Sequence, residues 1–216
     1  MIKLPPFDKN LGRNIKVIDF PGHKPTHASV LLLWYSKPTS DVKNVVELGS
    51  GTGFVTFGLK ILYNLKVTGI EKEKELVEAA NAGIKMNRLN NINFLNEDVK
   101  NIKKRMLPEQ FDMVIFNPPY HLGPASNNYL RKTARTANKE TLKNFVETAS
   151  YLLRNRGTFV TIIAPYRLPD YFQTLQKFKL IPQQMCIAYG KKAELVLIRG
   201  RKNGGAHLEI DQPVFL

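Results

Sequence analysis

The chain has 216 residues, 43% hydrophobic and 23% charged, with 32 Lys and Arg against 18 Asp and Glu. That length and balance exclude a disordered chain and suit one domain with a sizeable core. The net charge of +14 points to a polyanionic partner, nucleic acid first. The single cysteine, Cys186, excludes an internal disulfide and favours a reducing, cytoplasmic setting.

The start, MIKLPPFDKN, is too polar and proline-rich for a secretory leader, and the longest apolar run, VLLLWY, is too short for a bilayer. No amphipathic basic helix with an exposed apolar face stands out, so no membrane partner is expected. Within the first 40 residues, GHKPTHASVLLLWYS reads as one helix over the top of the sheet, with Trp34 and Tyr35 in the core.

Strand-like and helix-like runs then alternate. NVVEL (44–48) is a short apolar run, followed by helix-compatible Phe54, Phe57, Leu59, Ile61 and Leu62. KVTGIE (66–71) is β-branched and ends in an acid. Residues 73–89 are helix formers, with Leu76, Val77, Ala80 and Ile84 on one stripe. INFLNED (92–98) and FDMVIF (111–116) read as strands. Residues 121–137 lack a period and read as a long loop, which in a compact domain is more often functional than filler.

Residues 138–157 read as a clean helix capped by Asn138, with Leu142, Phe145, Val146, Ala149, Leu152 and Leu153 inward. Arg154 and Arg156 suit its C-terminal end, and Gly157 stops it. TFVTIIA (158–164) is a strand, 168–178 a helix with Pro169 in its first turn, and 180–189 and 193–201 a final strand pair. The tail reads as one more extended piece. This alternation implies a mostly parallel sheet with helices on both faces. The expected organisation is one domain over 1–216, with a cap segment (1–40) and an α/β core (41–216).

Two motifs carry chemistry. In VVELGSGTGF (45–54), Gly49, Gly51 and Gly53 stand between a buried strand and a helix, where backbone can approach a ligand closely. The plainer reading is a tight turn, which needs only one or two glycines. Glu71 ends the next strand, where an acid can take both hydroxyls of a ribose; alone, it would be an ordinary solvated charge. The spacing is G-x-G-x-G, and no G-K-[ST] is present, so no phosphate-cradling loop is expected.

The second motif is FNPPY (116–120). Two prolines fix two φ angles and discard two donors, and Asn117 before them is pushed to extended geometry. The result is a stiff corner with an amide in front and a ring behind. Its plainer reading is a rigid loop corner. The four histidines (23, 27, 121, 207) show no metal-ligand spacing, so no metal is expected. Cys186 lies in an apolar run and reads as a packed residue.

ELGSGTG resembles the first motif of the class I S-adenosylmethionine methyltransferases. The resemblance implies a Rossmann-like fold whose seven-stranded, mostly parallel sheet has an antiparallel last strand, and S-adenosylmethionine as cofactor, with S-adenosylhomocysteine as product. It places Glu47 near the cationic methionine end, Gly49, Ser50, Gly51 and Gly53 near the amino acid and ribose, and Glu71 with Lys72 at the ribose. Asp98 and Val99 would meet the adenine, although Asp98 is also a natural N-cap for the segment after it. Thr26 and Asn117 complete the implied cofactor set.

NPPY resembles the catalytic motif of methyltransferases acting on planar amines: a base amino group or a glutamine amide. Such a nitrogen has its lone pair delocalised and is a poor nucleophile. Two rigid acceptors can take both its hydrogens and draw it toward sp³ character. Asn117 Oδ1 and the Pro118 carbonyl would be those acceptors, held by Pro119, with Tyr120 as a stacking face.

The order of PTHASVLLLWY, ELGSGTG, NPPY, the 134–175 segment and AELVLIRGRKNG is similar to the bacterial tRNA adenine-N6 methyltransferases that modify valine tRNA. Two departures are visible: Thr26-His27 where that family has Thr-Asp, and Ala134-Arg135-Thr136-Ala137 where it has Ala-Arg-His-Glu. The resemblance therefore implies an adenine in tRNA and leaves the tRNA and base position open. A protein glutamine methyltransferase shares NPPY, but it needs an N-terminal helical domain, and about 43 residues precede the first strand. A guanine-N2 RNA methyltransferase and a non-catalytic RNA-binding module are the remaining alternatives. Basic clusters supply the expected RNA contacts: Lys103, Lys104, Arg131, Lys132, Arg135, Lys191 and Lys192. A monomer is the expected state.

Overall fold

The computed structural model describes residues 2–21, 23–119 and 128–216, the side chains of 128–138 excepted. Its apolar runs become strands of one mixed sheet: β1 (Asn44–Leu48), β2 (Lys66–Glu71), β3 (Ile92–Asn96), β4 (Phe111–Phe116), β5 (Leu153–Ile163), β6 (Leu180–Tyr189) and β7 (Ala193–Lys202). These lie in the order β3-β2-β1-β4-β5-β7-β6. The first five pair parallel, and β7 is antiparallel to both neighbours. The tail adds two short strands rather than one extended piece, β8 (Glu209–Ile210) and β9 (Val214–Phe215), both paired with β6.

β1 and β4 are adjacent, and from them the chain winds outward in opposite directions. In parallel sheets such a reversal opens a crevice beyond the carboxyl ends of the strands. β4 explains its own apolar run, since all six residues are buried.

Helices α1 (His27–Tyr35), α2 (Phe54–Tyr63) and α3 (Lys74–Met86) cover one face. α4 (Asn128–Leu152) and α5 (Leu168–Lys177) cover the other, with a 3₁₀ segment over Val99–Lys104. α1 is apolar nearly all round because it is enclosed: Leu31, Leu32 and Leu33 are at most 1% exposed. Burying each stabilises the fold by roughly 1.5–3 kcal/mol. It packs on α2, β5 and β7, so it lies on a face of the sheet rather than over its top. Trp34 and Tyr35 are core residues as expected. The N-terminal segment is sewn to this helix, Trp34 Nε1 donating to the Pro5 carbonyl at 2.9 Å and Phe7 meeting the Trp34 ring edge-on.

Several local expectations need correction. Residues 128–137, read as loop, are the first turns of α4, so Asn138 lies within the helix and does not cap it. A polar, weakly periodic run can be helical when the helix continues into a segment anchored by packing. The helix also ends earlier: Arg154, Arg156 and Gly157 belong to β5. Arg154 is drawn out by two carboxylates, Asp112 at 2.8 Å and Asp41 at 3.2 Å. On α2, Ile61 and Leu62 are 46% and 42% exposed, and the buried stretch is Val55–Lys60.

Candidate active site

Everything at the site follows from where the strands end. β1 stops at Leu48, and the next two amides donate to the Ile70 carbonyl of β2, Gly49 at 2.8 Å and Ser50 at 3.1 Å. The chain then turns through Gly49, Gly51 and Gly53, at φ 70, 53 and 90°. Those left-handed values favour glycine. A Cβ on Gly53 would stand 2.7 Å from the Phe94 ring, so this glycine admits close packing. A Cβ on Gly51 would meet nothing within 4 Å, so this glycine leaves open space.

Glu71, at the end of β2, is buried, and three backbone amides hold its carboxylate. Oε2 accepts from Gly51 at 2.9 Å, and Oε1 from Lys72 at 2.9 Å and Glu73 at 3.1 Å. Of roughly four acceptor sites on a carboxylate, one is left. To accept two ligand hydroxyls, Glu71 must give up one of these contacts.

Glu47 is also buried, and Thr56 Oγ1 donates to its Oε2 at 2.6 Å. Burial pushes its pKa up to about 8, with Glu71 adding to the rise. At neutral pH it is mainly the neutral acid, primed to ionise beside a cation.

Asp98 caps the 3₁₀ segment, its Oδ1 accepting from the Lys100 amide at 3.0 Å. It also lies 3.5 Å from Lys100 Nζ. The capping alternative is thus realised, and Asp98 still faces the site.

Two cavities meet here, of about 500 and 350 Å3. They share Gly49, Asn117 and Pro119. Glu71, Lys72, Asp98 and Val99 line the larger. Thr26, Glu47, Ser50, Gly51 and Pro118 line the smaller. Gly53 lines neither; it supports the turn from below. Tyr120 lies outside the described residues.

Asn117 stands at the junction. Its Oδ1 is buried and has no hydrogen-bond partner among the described residues. Such an acceptor carries a desolvation penalty of about 1–3 kcal/mol until a donor meets it. The proline pair keeps the chain from relaxing toward another partner.

α4 contributes groups with no motif of their own, Thr141, Asn144 and Phe145 lining the larger cavity. Phe145 stacks on Phe116 at 6.5 Å between centroids and comes within 3.3 Å of where a Gly49 Cβ would sit. Its helical periodicity was legible, but its place beside the glycine turn was not. His23 and Lys24 of the N-terminal segment reach the smaller cavity, and nothing in their spacing signals it.

The basic clusters do not all converge. β5 and β6 run the same way, so the β6–β7 turn with exposed Lys191 and Lys192 lies on the site edge. Lys103 is taken up by Glu147 and the Tyr151 ring instead, and Lys104 is exposed at the end of the 3₁₀ segment. Arg131, Lys132 and Arg135 lie outside the described side chains. Among the described residues, no group of three or more His, Cys, Asp or Glu could hold a metal, and no helix is long and apolar enough to cross a membrane.

A family model described as a methyltransferase domain matches residues 39–195. The tRNA1(Val) (adenine(37)-N6)-methyltransferase of Shewanella woodyi is 26% identical over 166 residues, 74% of this chain and 68% of that one. The release factor glutamine methyltransferase of Aliivibrio fischeri is 25% identical over 115 residues, 50% of this chain and 40% of that one. Among solved structures, a 16S rRNA N2 methyltransferase of T. thermophilus, in complex with AdoMet and guanosine, superposes with a TM-score of 0.58 at 24% identity. That match covers 85% of this chain and 45% of the other.

Proposed function

As a member of the methyltransferase-domain family this chain is an S-adenosylmethionine-dependent methyltransferase, and we propose that its acceptor is the exocyclic N6 amine of an adenine in tRNA. The observation that carries the reading is Asn117 Oδ1, buried and without a partner among the described residues where the two cavities meet. The residues present fit the cofactor: a glycine turn with open space at Gly51, an acid on β2 and a second acid beneath the turn. When bound, S-adenosylmethionine supplies an electrophilic methyl group on a sulfonium centre.

The chain's own residues would do the rest. Glu71 would take ribose hydroxyls, giving up one of its amide contacts. Glu47 would answer the cationic end in its ionised form. Asp98 and Val99 would meet the adenine, with Lys72 and Thr26 completing the set. Asn117 Oδ1 and the Pro118 carbonyl accept the two hydrogens of the acceptor amine, holding its lone pair toward the donor. Tyr120 is assigned the stacking face by sequence alone.

Three observations favour nucleic acid over a glutamine side chain. The net charge is +14. Lys191 and Lys192 stand on the site edge. Similarity to the tRNA adenine methyltransferase runs over 74% of the chain, against 50% for the glutamine enzyme. We read residues 1–216 as one catalytic domain, with 1–40 packed onto the 41–216 core. Incubation with labelled S-adenosylmethionine and either total tRNA or total protein, followed by nucleoside and amino-acid analysis, tests this. Label in N6-methyladenosine is expected; label in N2-methylguanosine or methylglutamine would reassign the acceptor.

A further inference from the structure

The edge of the sheet opposite the candidate active site holds another cavity, of about 360 Å3. It opens where β5 and β6 begin and β7 ends. Arg156, Arg199, Arg201 and His207 line it, joined by the hydroxyl-bearing Thr39 and Thr158. No carboxylate lines it among the described residues.

Arg199 is the telling group. It is only 6% exposed. Its Nη2 donates to the Lys37 carbonyl, which sets the guanidinium plane. Its Nε and Nη1 are buried without a hydrogen-bond partner among the described residues. Burial lowers its pKa to about 10, so it stays charged at neutral pH. A buried cation with two idle donors is strongly unfavourable unless an anion answers it.

Two nearby carboxylates lend charge without bonding those donors: Asp211 acts on Arg199, and Asp41, bonded to Thr39, acts on Arg201. Asp211 accepts from Tyr35 and from Gln184, each at 2.9 Å. Asp41 pairs with Arg154 at 3.2 Å. Of the other lining groups, Arg156 donates to the Asn203 carbonyl at 3.3 Å, and His207 Nε2 lies 3.2 Å from Glu209 Oε1.

Planar guanidinium groups match tetrahedral oxyanions through paired N–H donors. We propose that this cavity binds a phosphate group, with Arg199 at its base and the more exposed Arg156 and Arg201 closing on the oxygens. The phosphate could belong to the backbone of a nucleic acid that reaches this end of the protein, or to a small phosphate-bearing molecule. The proposal stands apart from the identity of the methyl acceptor, since it concerns a different edge and its readout is binding.

The test titrates inorganic phosphate into the 216-residue chain by calorimetry at constant ionic strength, with chloride as the control. Saturable binding is expected, weakened at least about tenfold in an Arg156→Gln/Arg201→Gln double variant. Circular dichroism and S-adenosylmethionine titration of the same variant should match the unaltered chain, which separates a lost site from a lost fold. Arg199→Met gives a further arm if it folds, with phosphate binding abolished. A second titration uses unmodified tRNA across a salt series. A fall in affinity in the double variant, with the log–log salt slope reduced by about two, identifies nucleic acid as the source. Lost phosphate binding with unchanged tRNA affinity identifies a small phosphate-bearing ligand. No phosphate binding by the unaltered chain, or equal binding by chain and variant, overturns the proposal.

Discussion

The two halves of the candidate active site are built differently. On the β1/β2 side the carboxylates are already occupied: three backbone amides hold Glu71 and Thr56 holds Glu47. On the β4 side, the Asn117 acceptor is buried with no donor among the described residues. The first half is held by the protein's own amides and the Thr56 hydroxyl. The second carries a deficit that a donor-bearing ligand can remove. A pocket held in shape ahead of binding suits a cofactor common to many reactions, and an unmet acceptor suits one particular substrate.

The sharpest way to break this contrast is Asn117→Ala. Methyl transfer to tRNA should fall by about 10²–10³-fold, while S-adenosylmethionine affinity by calorimetry stays within about twofold. Equal losses in both would mean Asn117 serves the cofactor half. Glu71→Ala should do the reverse, weakening cofactor binding by roughly 10–100-fold. An unchanged dissociation constant there would remove Glu71 from the site.

Proton linkage at Glu47 comes next in size. Its carboxyl is raised to about 8 from the ordinary 4.5, so the folded chain holds a proton that the unfolded chain has released across that window. The group's contribution to stability therefore falls as pH rises through it. A cationic ligand favours the ionised form, so binding should release a proton. Cofactor affinity should rise with pH by up to about tenfold per unit, then level off above about pH 8. Glu47→Gln should flatten that rise, and a rise persisting in the variant would point to another group.

Smaller still is Lys191→Gln/Lys192→Gln, which should reduce the salt slope of tRNA binding by about two and leave cofactor affinity alone. The smallest effect belongs to Asp98→Asn. Asparagine also caps, so the melting temperature should shift little, while cofactor binding weakens a few-fold. A large drop in melting temperature would make Asp98 a purely structural cap.

Much of the site was legible because local chemistry dictates it. A glycine turn after an apolar strand, an acid closing the next strand and a proline pair after the fourth each act within a few residues. Glu71 and Asn117 were found that way and Glu47 by the resemblance of ELGSGTG, and all three line the paired cavities. Other features were hidden because they depend on distant partners. Gly51 and Gly53 look alike in sequence, yet one leaves open space and the other lies under Phe94. Arg154 and Arg156 look like the cationic end of a helix, but Asp112 and Asp41 place Arg154 on β5.

By itself, then, the sequence determined the alternation of strands and helices, the glycine turn after β1 and the stiff corner at Asn117, since these rest on side-chain period and restricted φ angles. Only the tertiary structure decided which groups share an edge. The basic residues of 189–202 belong to one segment of the sequence, but β7 carries it across the sheet, roughly 30 Å at about 3.3 Å per residue. Lys191 and Lys192 therefore lie on the site edge, while Arg199 and Arg201 line a cavity at the far end. An extended strand separates what the sequence places side by side, and no linear pattern records the direction in which it runs.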